Sequence, residues 1–368
     1  MIHSKSWRNQ LLEHEITIGF SGLSHLGIVH AVTTASKGFK VIAKDSSDKK
    51  ICSLRKGQID ISEPLLKNLL NSYKKNLIFT TETKHFLQCD IVFVSQDVPT
   101  DHAGKSDLSS VHMNIEQTMK CLKKEAVLVI LSQVPPGFTR ELKLKFPDTE
   151  IYYQVETLIF GEAINRAQNP ERLIIGCSQP KLSLNKAYNK LLTSFQCPIF
   201  SMQYESAELT KISINIFLAA SVTISNTLAE ISELIGADWS EIKQSLKLDK
   251  RIGPNSYLNP GLGISGGNLE RDLQTVKQLG QKYGSHYQTI NSIIENSRHR
   301  KNWLWKTFKK TEIFGIKNKK ISILGLSYKE NTESIKNSPS LEFISNLSNY
   351  SVSVHDPKAN PILAKFVL

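Results

Sequence analysis

The sequence lacks the features that mark secreted, metal-binding and membrane-spanning proteins. Its five cysteines form no C-x-x-C pair and show no metal-ligand spacing, so it predicts neither a disulfide framework nor a metal site. Reduced thiols favour an intracellular protein. Residues 1–15 are polar and lack the apolar core of a signal peptide, and no run reaches the roughly 18 uninterrupted apolar residues of a membrane span. The prediction is a cytoplasmic protein without membrane contact.

Acidic residues are outnumbered in this chain. Its 368 residues carry 46 Lys and Arg against 34 Asp and Glu, a net charge of +12. The lysines are scattered rather than massed in blocks, so a phosphate-bearing small molecule accounts for the excess at least as well as a nucleic acid, and we expect no nucleic-acid partner. A merely solvated basic surface remains an alternative. Because single cores stop growing at about 250 to 300 residues, the length predicts about two or three domains.

The first glycine-rich turn lies in a context typical of dinucleotide binding. An apolar run, Ile16–Phe20, is followed by Gly22-Leu23-Ser24-His25-Leu26-Gly27, by a helix-compatible stretch and by the strand-like residues 40–44 that end at Asp45. This is the βαβ order in which Gly22 makes a tight turn, Gly27 allows close helix packing and the helix N-terminus faces a pyrophosphate. Ser24 occupies the place of the middle glycine and weakens the signal, so a tight turn without a ligand stays open.

Asp45 decides which dinucleotide this turn favours. It lies 18 residues after Gly27, where a carboxylate can bind both ribose hydroxyls and repel a 2′-phosphate. The predicted cofactor is therefore NAD, although the neighbouring Lys44 weakens the preference over NADP.

Strands and helices then alternate through residue 200. We predict strands at 90–95, 126–132, 151–154 and 173–176, with helices at 62–73, 107–122 and 180–195 between them. This alternation indicates an α/β protein with a doubly wound parallel sheet, whose ligands gather at the carboxyl ends of the strands. Glu156 follows one such end near the expected nicotinamide. An exposed loop acid is an equally good interpretation of it.

The middle of the chain favours helices. Residues 206–234 have apolar positions at helical spacing and no proline, and they place Lys211 and Asn215 on one face. A long apolar face is typical of an oligomer interface, but core packing would give the same pattern. A second helical stretch is predicted from Leu269 to about Lys309.

Between these helices lies a loop, Asn259–Asp272, with four glycines in the seven residues 261–267. Such a backbone can close on a ligand where side-chain-bearing residues cannot. Asn268 follows the last glycine, and its amide has no nucleophilic chemistry. A final strand and turn at residues 319–329 and a strand at 352–355 begin a second βαβ unit, which the sequence leaves incomplete.

These segments, in this order, resemble the UDP-glucose/GDP-mannose dehydrogenase family, the NAD-dependent nucleotide-sugar 6-dehydrogenases. The resemblance runs from Ile16 to Pro357 and rests on several motifs in register. They are Asn169-Pro170-Glu171-Arg172, Glu208-Leu209-Thr210-Lys211 with Asn215, Leu248-Asp249-Lys250-Arg251-Ile252-Gly253, and Gly325-Leu326-Ser327-Tyr328-Lys329 with Ser338-Pro339. It implies an NAD-binding domain at 1–200, a central helical dimerisation and substrate domain at 201–312, and a UDP-binding domain, here cut short, at 313–368. A UDP- or GDP-sugar substrate and a homodimer or higher homo-oligomer are also implied.

The resemblance also implies roles for individual residues. In the family the sugar C6 alcohol is oxidised twice: the first step would use Lys211, Asn215 and Asp272, and Glu156 matches the glutamate near the water that ends the second. Cofactor contacts are implied for Gly22, Ser24, His25, Leu26, Gly27, Asp45 and Lys329. Substrate contacts are implied for Leu158, Arg251, Tyr257, Asn259, Gly263, Gly266, Gly267 and Arg271.

The departures from the family pattern are concentrated in the chemistry. Asn268 occupies the place of the cysteine that forms a thioester in the second step, and an amide cannot form one. Arg271 replaces a lysine, which keeps the charge and changes its geometry. Further changes are Gln133 for a threonine, Ile159-Phe160 for a basic-acidic pair, and Ser265 within the glycine run.

Two hypotheses follow. The first is an oxidoreductase limited to one two-electron step on a nucleotide sugar. The second is a non-catalytic relative that binds a nucleotide sugar or serves as a partner subunit. A full 6-dehydrogenase that oxidises the hydrated aldehyde without a thiol is a third, slower alternative.

Overall fold

The computed structural model describes residues 15–100, 106–316 and 319–360. The chain divides into two compact units. The first contains the described residues up to Val98 together with Leu108–Leu209, and the second contains those of Pro99–Asp107 and of Thr210 onward. The three-domain division stays a prediction.

The first unit is built on one eight-stranded sheet. Its spatial order is β3-β2-β1-β4-β5-β6-β7-β8. The strands are β1 (Thr17–Ser21), β2 (Lys40–Lys44), β3 (Leu77–Thr80), β4 (Ile91–Val94), β5 (Val127–Ile130), β6 (Glu150–Gln154), β7 (Leu173–Cys177) and β8 (Ile199–Gln203). Most are short runs of buried apolar residues, as expected for strands covered on both faces.

Seven helices accompany this sheet. They are α1 (His25–Ser36), α2 (Asp48–Arg55), α3 (Leu66–Ser72), α4 (Ser109–Met119), α5 (Phe138–Lys145), α6 (Ala163–Gln168) and α7 (Lys186–Thr193), with 3-10 turns at Lys74–Asn76 and Thr83–Gln88. Cys177 is buried in the main apolar cluster and Cys197 packs against it. All five cysteines are free.

One part of the sheet differs from the all-parallel prediction. β6 and β7 pair antiparallel, with Tyr153 opposite Gly176, whereas β7 and β8 run parallel to each other. The apolar pattern of a buried strand is the same in both directions, because it records burial and not polarity. The apolar pattern therefore does not determine strand direction at this edge of the sheet.

The second unit is mainly helical. Its helices are α8 (Tyr204–Ile235), which begins in the first unit, α9 (Trp239–Leu248), α10 (Asn268–Tyr283), α11 (Gln288–Lys301), α12 (Trp303–Phe308) and α13 (Pro339–Ser345). The last helix connects two parallel strands, β9 (Lys320–Leu324) and β10 (Ser351–His355). Asp356, directly after β10, accepts hydrogen bonds from the backbone N–H groups of Leu326 and Ser327.

The helical stretch predicted from Leu269 to Lys309 is not continuous. It forms three helices, because Gly284 ends α10 in the left-handed region at φ +69°. Gly280 allows the next segment to fold back: a methyl group there would lie 2.7 Å from Cβ of Tyr287. Glycine at a helix C-terminus is a common stop signal.

α8 is the described helix that is long and apolar enough to cross a membrane by length and composition. Its apolar residues pack against α10 and α11 in a cluster that includes Ala219, Leu273 and Ile293. It also buries the polar side chains of Ser225, Asn226 and Ser232. These contacts bury one side of α8 within the second unit, while other apolar residues of the helix, such as Phe217, are exposed.

Candidate active site

The turn between β1 and α1 requires its two glycines. Gly22 has φ +98°, a conformation that L side chains rarely adopt. At Gly27 an added methyl group would lie 1.9 Å from the Gly22 carbonyl oxygen, which is backbone and cannot rotate away. The turn thus brings the N-terminus of α1 against the ends of β1 and β4, where the backbone can approach an anionic ligand.

Asp45 is held directly beside this turn. Its Oδ2 accepts hydrogen bonds from the Leu23 N–H at 2.9 Å and from Lys50 Nζ at 2.8 Å, and its Oδ1 accepts one from the Ser47 N–H at 3.0 Å. Burial raises the pKa of Asp45, but these hydrogen bonds and the Lys50 charge outweigh it, and the pKa lies below the ordinary value. The carboxylate is therefore ionised at neutral pH.

Around these residues lies an open cleft of about 770 Å³. Gly22, Ser24 and Asp45 line it, together with residues from the end of β4 and from α4. Ser24 turns its hydroxyl towards β4, accepting from the Asp97 N–H at 2.8 Å and donating to the Ser95 carbonyl. The middle position of the glycine motif thus accommodates a side chain by bonding it to the neighbouring strand end.

The side chain of His25, the first residue of α1, is fixed by two partners. Its Nε2 lies 3.0 Å from Glu63 Oε2, and its ring packs on Phe160 with centroids 4.3 Å apart. Glu63 also accepts the N–H groups of Gly161 and Ala163, at the start of α6. Phe160, which departs from the family pattern, is therefore accommodated against the first helix. Leu26 is buried in the core.

Glu156 and Leu158 lie on the loop that follows β6, in the first unit. The Glu156 carboxylate accepts the Leu158 N–H, and its side chain is partly exposed. Glu208, from the motif on α8, has a supporting role: it is fully buried and accepts the N–H groups of Gly137 and Thr139 at 2.6 and 2.8 Å. It thereby fixes the turn that precedes α5.

In the second unit, three of the predicted residues meet around one buried carboxylate. Asp272 is 1% exposed, and its Oδ2 accepts a hydrogen bond from Asn215 Nδ2 at 2.5 Å. Its Oδ1 lies 3.2 Å from Nε of Arg271, which is also buried. Burial raises the pKa of Asp272, while Arg271, Asn215 and the charge of Lys211 act to lower it, and the net shift is upward. The sequence prediction that these residues share a site is consistent with this geometry.

Asn268 is the first residue of α10 and is exposed. Its position, four residues before Asp272, places the two on the same side of the helix. The free N–H groups and the dipole of a helix N-terminus stabilise an anion, and a thiol there becomes a better nucleophile. The amide of Asn268 gains no such reactivity.

The glycine loop is held by residues far along the chain. The Gly266 N–H donates to the Lys336 carbonyl, and Asn337 Nδ2 donates to the Gly266 carbonyl at 2.9 Å. A methyl group at Gly266 would lie 3.0 Å from the Tyr328 ring, and at Gly263 it would lie 2.6 Å from the Ser297 carbonyl. Lys336 Nζ lies 3.1 Å from the corresponding position at Gly267. Sequence reasoning did not identify Lys336 and Asn337, since no local pattern marks them.

The other predicted substrate residues are less concentrated. Tyr257 and Asn259 line a separate cleft of about 660 Å³ in the second unit. Arg251 is exposed and paired with Asp249 at 2.6 Å, which lowers the pKa of that carboxyl. Lys329 is partly buried with its Nζ 5.9 Å from the Tyr328 ring centroid. Among the described residues no group of three or more His, Cys, Asp or Glu could hold a metal ion.

Comparisons with known proteins match most of the chain to one family. Models of the UDP-glucose/GDP-mannose dehydrogenase family match its NAD binding domain at residues 16–196, its central domain at 205–298 and its UDP binding domain at 322–366. The UDP-glucose 6-dehydrogenase TuaD of Bacillus subtilis is 30% identical over 357 residues, covering 94% of this chain and 76% of the relative. The chain belongs to the UDP-glucose/GDP-mannose dehydrogenase family.

Solved structures agree with that assignment. A UDP-glucose dehydrogenase from Pyrobaculum islandicum superposes with a TM-score of 0.86 at 25% identity, covering 96% of this chain and 84% of that one. A UDP-D-ManNAc dehydrogenase from Pyrococcus horikoshii shares the fold, with a TM-score of 0.82 at 22% identity and 94% and 84% coverage. The predicted fold class is confirmed: a large, mostly parallel sheet, a helical central part and a small C-terminal βαβ unit.

The cofactor of this family is NAD, and the cleft beside β1 fits it. The backbone at Gly22 and Gly27 leaves the helix N-terminus open to a pyrophosphate, and a Cβ at either position would clash with neighbouring atoms. Asp45, Ser24 and the first turn of α1 are the residues that would hold it. NAD, when bound, supplies a hydride acceptor for the oxidation of an alcohol.

Proposed function

We propose that this chain is an NAD-dependent dehydrogenase of nucleotide sugars that performs a single two-electron step between an alcohol and an aldehyde or ketone. One observation carries the proposal. The cluster of Asp272, Asn215 and Arg271 is formed, with the charge of Lys211 acting on it, while the exposed first residue of α10 is Asn268. Groups suited to the first oxidation are present without the nucleophile of the second.

Asp272 is suited to hold the alcohol proton. Its upward-shifted pKa brings it closer to neutrality, and a general base acts best when its pKa lies near the working pH. Lys211 supplies positive charge, which stabilises an oxyanion as the alcohol loses its proton. Asn215 orients the carboxylate through its hydrogen bond to Oδ2.

Asn268 limits the reaction to this step. Covalent oxidation of an aldehyde requires a nucleophile that adds to the carbonyl carbon, and an amide nitrogen has its lone pair delocalised into the carbonyl group. The helix N-terminus of α10 would stabilise a thiolate, but the chain has no cysteine in or next to the glycine loop. We therefore expect NADH without a sugar acid.

The substrate class is proposed to be UDP-sugars. The C-terminal family model describes a UDP binding domain, and the relatives cited above are dehydrogenases of UDP-sugars. Incubation of the purified protein with NAD and a panel of UDP- and GDP-sugars, followed by mass spectrometry, tests this. A panel in which no sugar yields NADH contradicts the proposal.

Asn268→Cys is the matching gain-of-function test. The new thiol would stand at the start of α10, so we expect it to produce sugar acid, detected by mass spectrometry of the product. Asn268→Ala is the control, because it removes the amide without adding a nucleophile. If the cysteine variant still makes no acid from a sugar that the wild type oxidises, the defect extends beyond this residue.

A second candidate, a non-catalytic nucleotide-sugar binder or partner subunit, is favoured by Arg271. Its buried guanidinium lies against Asp272 Oδ1 and lowers the pKa of that carboxyl, which opposes the effect of burial and weakens Asp272 as a base. Thermal unfolding discriminates the two, since a ligand that binds the folded state stabilises it. Stabilisation by a UDP-sugar with no NADH formed from any sugar would favour the binder.

We also propose a homo-oligomer formed through α8. Phe217, Ile224 and Ile231 are 76%, 60% and 45% exposed and recur every seven residues, which places them on one stripe. Phe217→Glu should shift the protein to a smaller species in light scattering after size exclusion. Leu248→Glu, on α9 and 85% exposed, is the control for the substitution itself. An unchanged mass for Phe217→Glu contradicts this interface.

The cytoplasmic location of the protein stays a prediction.

A further inference from the structure

Lys44 is an unusual residue in the wall of the cofactor cleft. It is the last residue of β2, lines the cleft and is 4% exposed. Among the described residues, the one hydrogen bond of its side chain goes from Nζ to Oε1 of Gln117, a neutral amide, at 3.2 Å. A buried ammonium without an ionised partner in contact is costly, so such a group marks a place where an anion would be stabilised.

The negative charge of the neighbouring carboxylate, Asp45, is already paired with a positive charge. Asp45 Oδ2 lies 2.8 Å from Lys50 Nζ, so the negative charge that would repel a phosphate is paired with a positive one. Burial lowers the pKa of Lys44 and the nearby Asp45 charge raises it, with a net shift downward. An anionic ligand would favour the charged form of Lys44 in the same way as Asp45 does.

The charges of the cleft are thus unevenly distributed. Two ammonium groups, Lys44 at the end of β2 and Lys50 on α2, accompany one carboxylate, Asp45. The other carboxylate that lines the cleft, Asp97, follows β4, where its backbone N–H donates to Ser24. In this fold the side chains after β2 determine whether NAD or NADP binds. A carboxylate there binds the ribose 2′-hydroxyl of NAD, and a nearby cation accommodates the 2′-phosphate of NADP.

We propose that Lys44 allows the cofactor cleft to accept a ribose 2′-phosphate, so that this chain binds NADP as well as NAD. The inference rests on the cofactor cleft and is independent of the two-electron step proposed above. It changes the interpretation of Asp45, whose carboxylate alone would exclude NADP.

Isothermal calorimetry with 5′-ADP and 2′,5′-ADP tests it without any turnover. The wild type should bind the two nucleotides within about tenfold of each other, a difference of about 1.4 kcal/mol. Lys44→Met, which keeps the length of the side chain and removes its charge, should weaken 2′,5′-ADP by about tenfold or more and leave 5′-ADP nearly unchanged. Lys49→Met, an exposed lysine of α2, removes a charge nearby and should leave the ratio as it is.

The wild-type ratio decides the matter even if Lys44→Met does not fold. A preference for 5′-ADP above about a hundredfold overturns the inference and leaves the NAD site intact. Equal weakening of both nucleotides by Lys44→Met also overturns it. If neither nucleotide binds the wild type, both the inference and the cofactor cleft are wrong, which is a different failure from the absence of sugar oxidation.

Discussion

The chain places two glycine-rich turns directly before two helices, and the two turns use their glycines differently. Between β1 and α1, a methyl group at Gly27 would meet the Gly22 carbonyl at 1.9 Å, a backbone atom. Before α10, a methyl group at Gly267 would meet the side chain of Lys336 at 3.1 Å, whose flexible end can move. The cofactor turn is thus fixed by its own backbone, whereas the glycine loop takes its shape from backbone and side-chain contacts with distant segments.

The first residues of α1 and α10 also differ in how firmly their side chains are held. His25 begins α1 with its side chain held by Glu63 and Phe160, while Asn268 begins α10 with its side chain exposed. A substitution at an exposed helix terminus costs little folding free energy. The proposed replacement of a nucleophile by Asn268 is therefore compatible with an intact fold.

The largest expected effect concerns Asp272, the proposed general base on the helix that follows the glycine loop. Asp272→Asn should lower the rate of the two-electron step by about 10²- to 10⁴-fold, because it removes the proposed base. Initial rates of NADH formation measure this, with Glu295→Gln, an exposed acid of α11, as control. A variant that retains wild-type activity would assign the proton to another residue and break the link between α10 and catalysis.

The second largest effect is expected from the steric difference between the cofactor turn and the glycine loop. Gly27→Ala should lower the free energy of unfolding by about 3 kcal/mol, since the backbone must move, whereas Gly267→Ala should cost less than about 1 kcal/mol. Urea unfolding measures both. Gly261→Ala is the baseline, because a methyl group there meets nothing within 4 Å. Equal losses at 27 and 267 would remove the distinction between a backbone and a side-chain contact.

Asp45 tests whether the cofactor turn is held electrostatically as well. Its pKa is lowered in the folded state, so its stabilisation is present above its ordinary pKa of 3.8 and is lost as the pH falls through the folded value. Asp45→Asn should therefore cost about 1 kcal/mol at pH 7 and progressively less as the pH falls below 3.8. Asp60→Asn, an exposed acid, provides the control over the same pH range. A cost that does not change with pH would mean that packing and not charge holds the turn.

The smallest effect is a shift in a pH profile. The two-electron rate should fall as the pH falls through the pKa of Asp272, which burial raises above that of an ordinary carboxyl. Since Arg271 lowers this pKa, Arg271→Met should move the acidic limb to higher pH, by about one unit. Arg298→Met, an exposed arginine of α11, should leave it in place. A shift to lower pH would show that Arg271 does not act on Asp272 through its charge.

The sequence was sufficient for the elements with strong local patterns. The predicted strand 90–95 contains β4, and the predicted helix 206–234 lies within α8, because buried apolar runs and helical spacing are local signals. β3 and β8 were not predicted, since β3 buries only Leu77 and Phe79 among its apolar residues and β8 buries none. The reversal at β7 depends on tertiary packing, which no local pattern encodes.

Site residues were likewise predicted where the sequence signal is local and missed where it is not. The βαβ order was enough to place Gly22, Gly27 and Asp45 at one turn. Glu63 was missed because its partners, His25 and Ala163, lie 38 and 100 residues away along the chain. Asp272 and Asn215 were found only through the family motifs, and their catalytic roles remain predictions.

The hydrogen bonds between Gly266 and residues 336–337 have a consequence for the order of folding. They join positions 70 and 71 residues apart, and contacts of large sequence separation carry a loop-closure cost before they contribute stability. We therefore expect the glycine loop to become ordered late, after the segment that follows β9 has docked. During synthesis on the ribosome, α8 and α10 can form while this loop is still open, so the glycine loop reaches its folded form only after residues 336–337 have emerged.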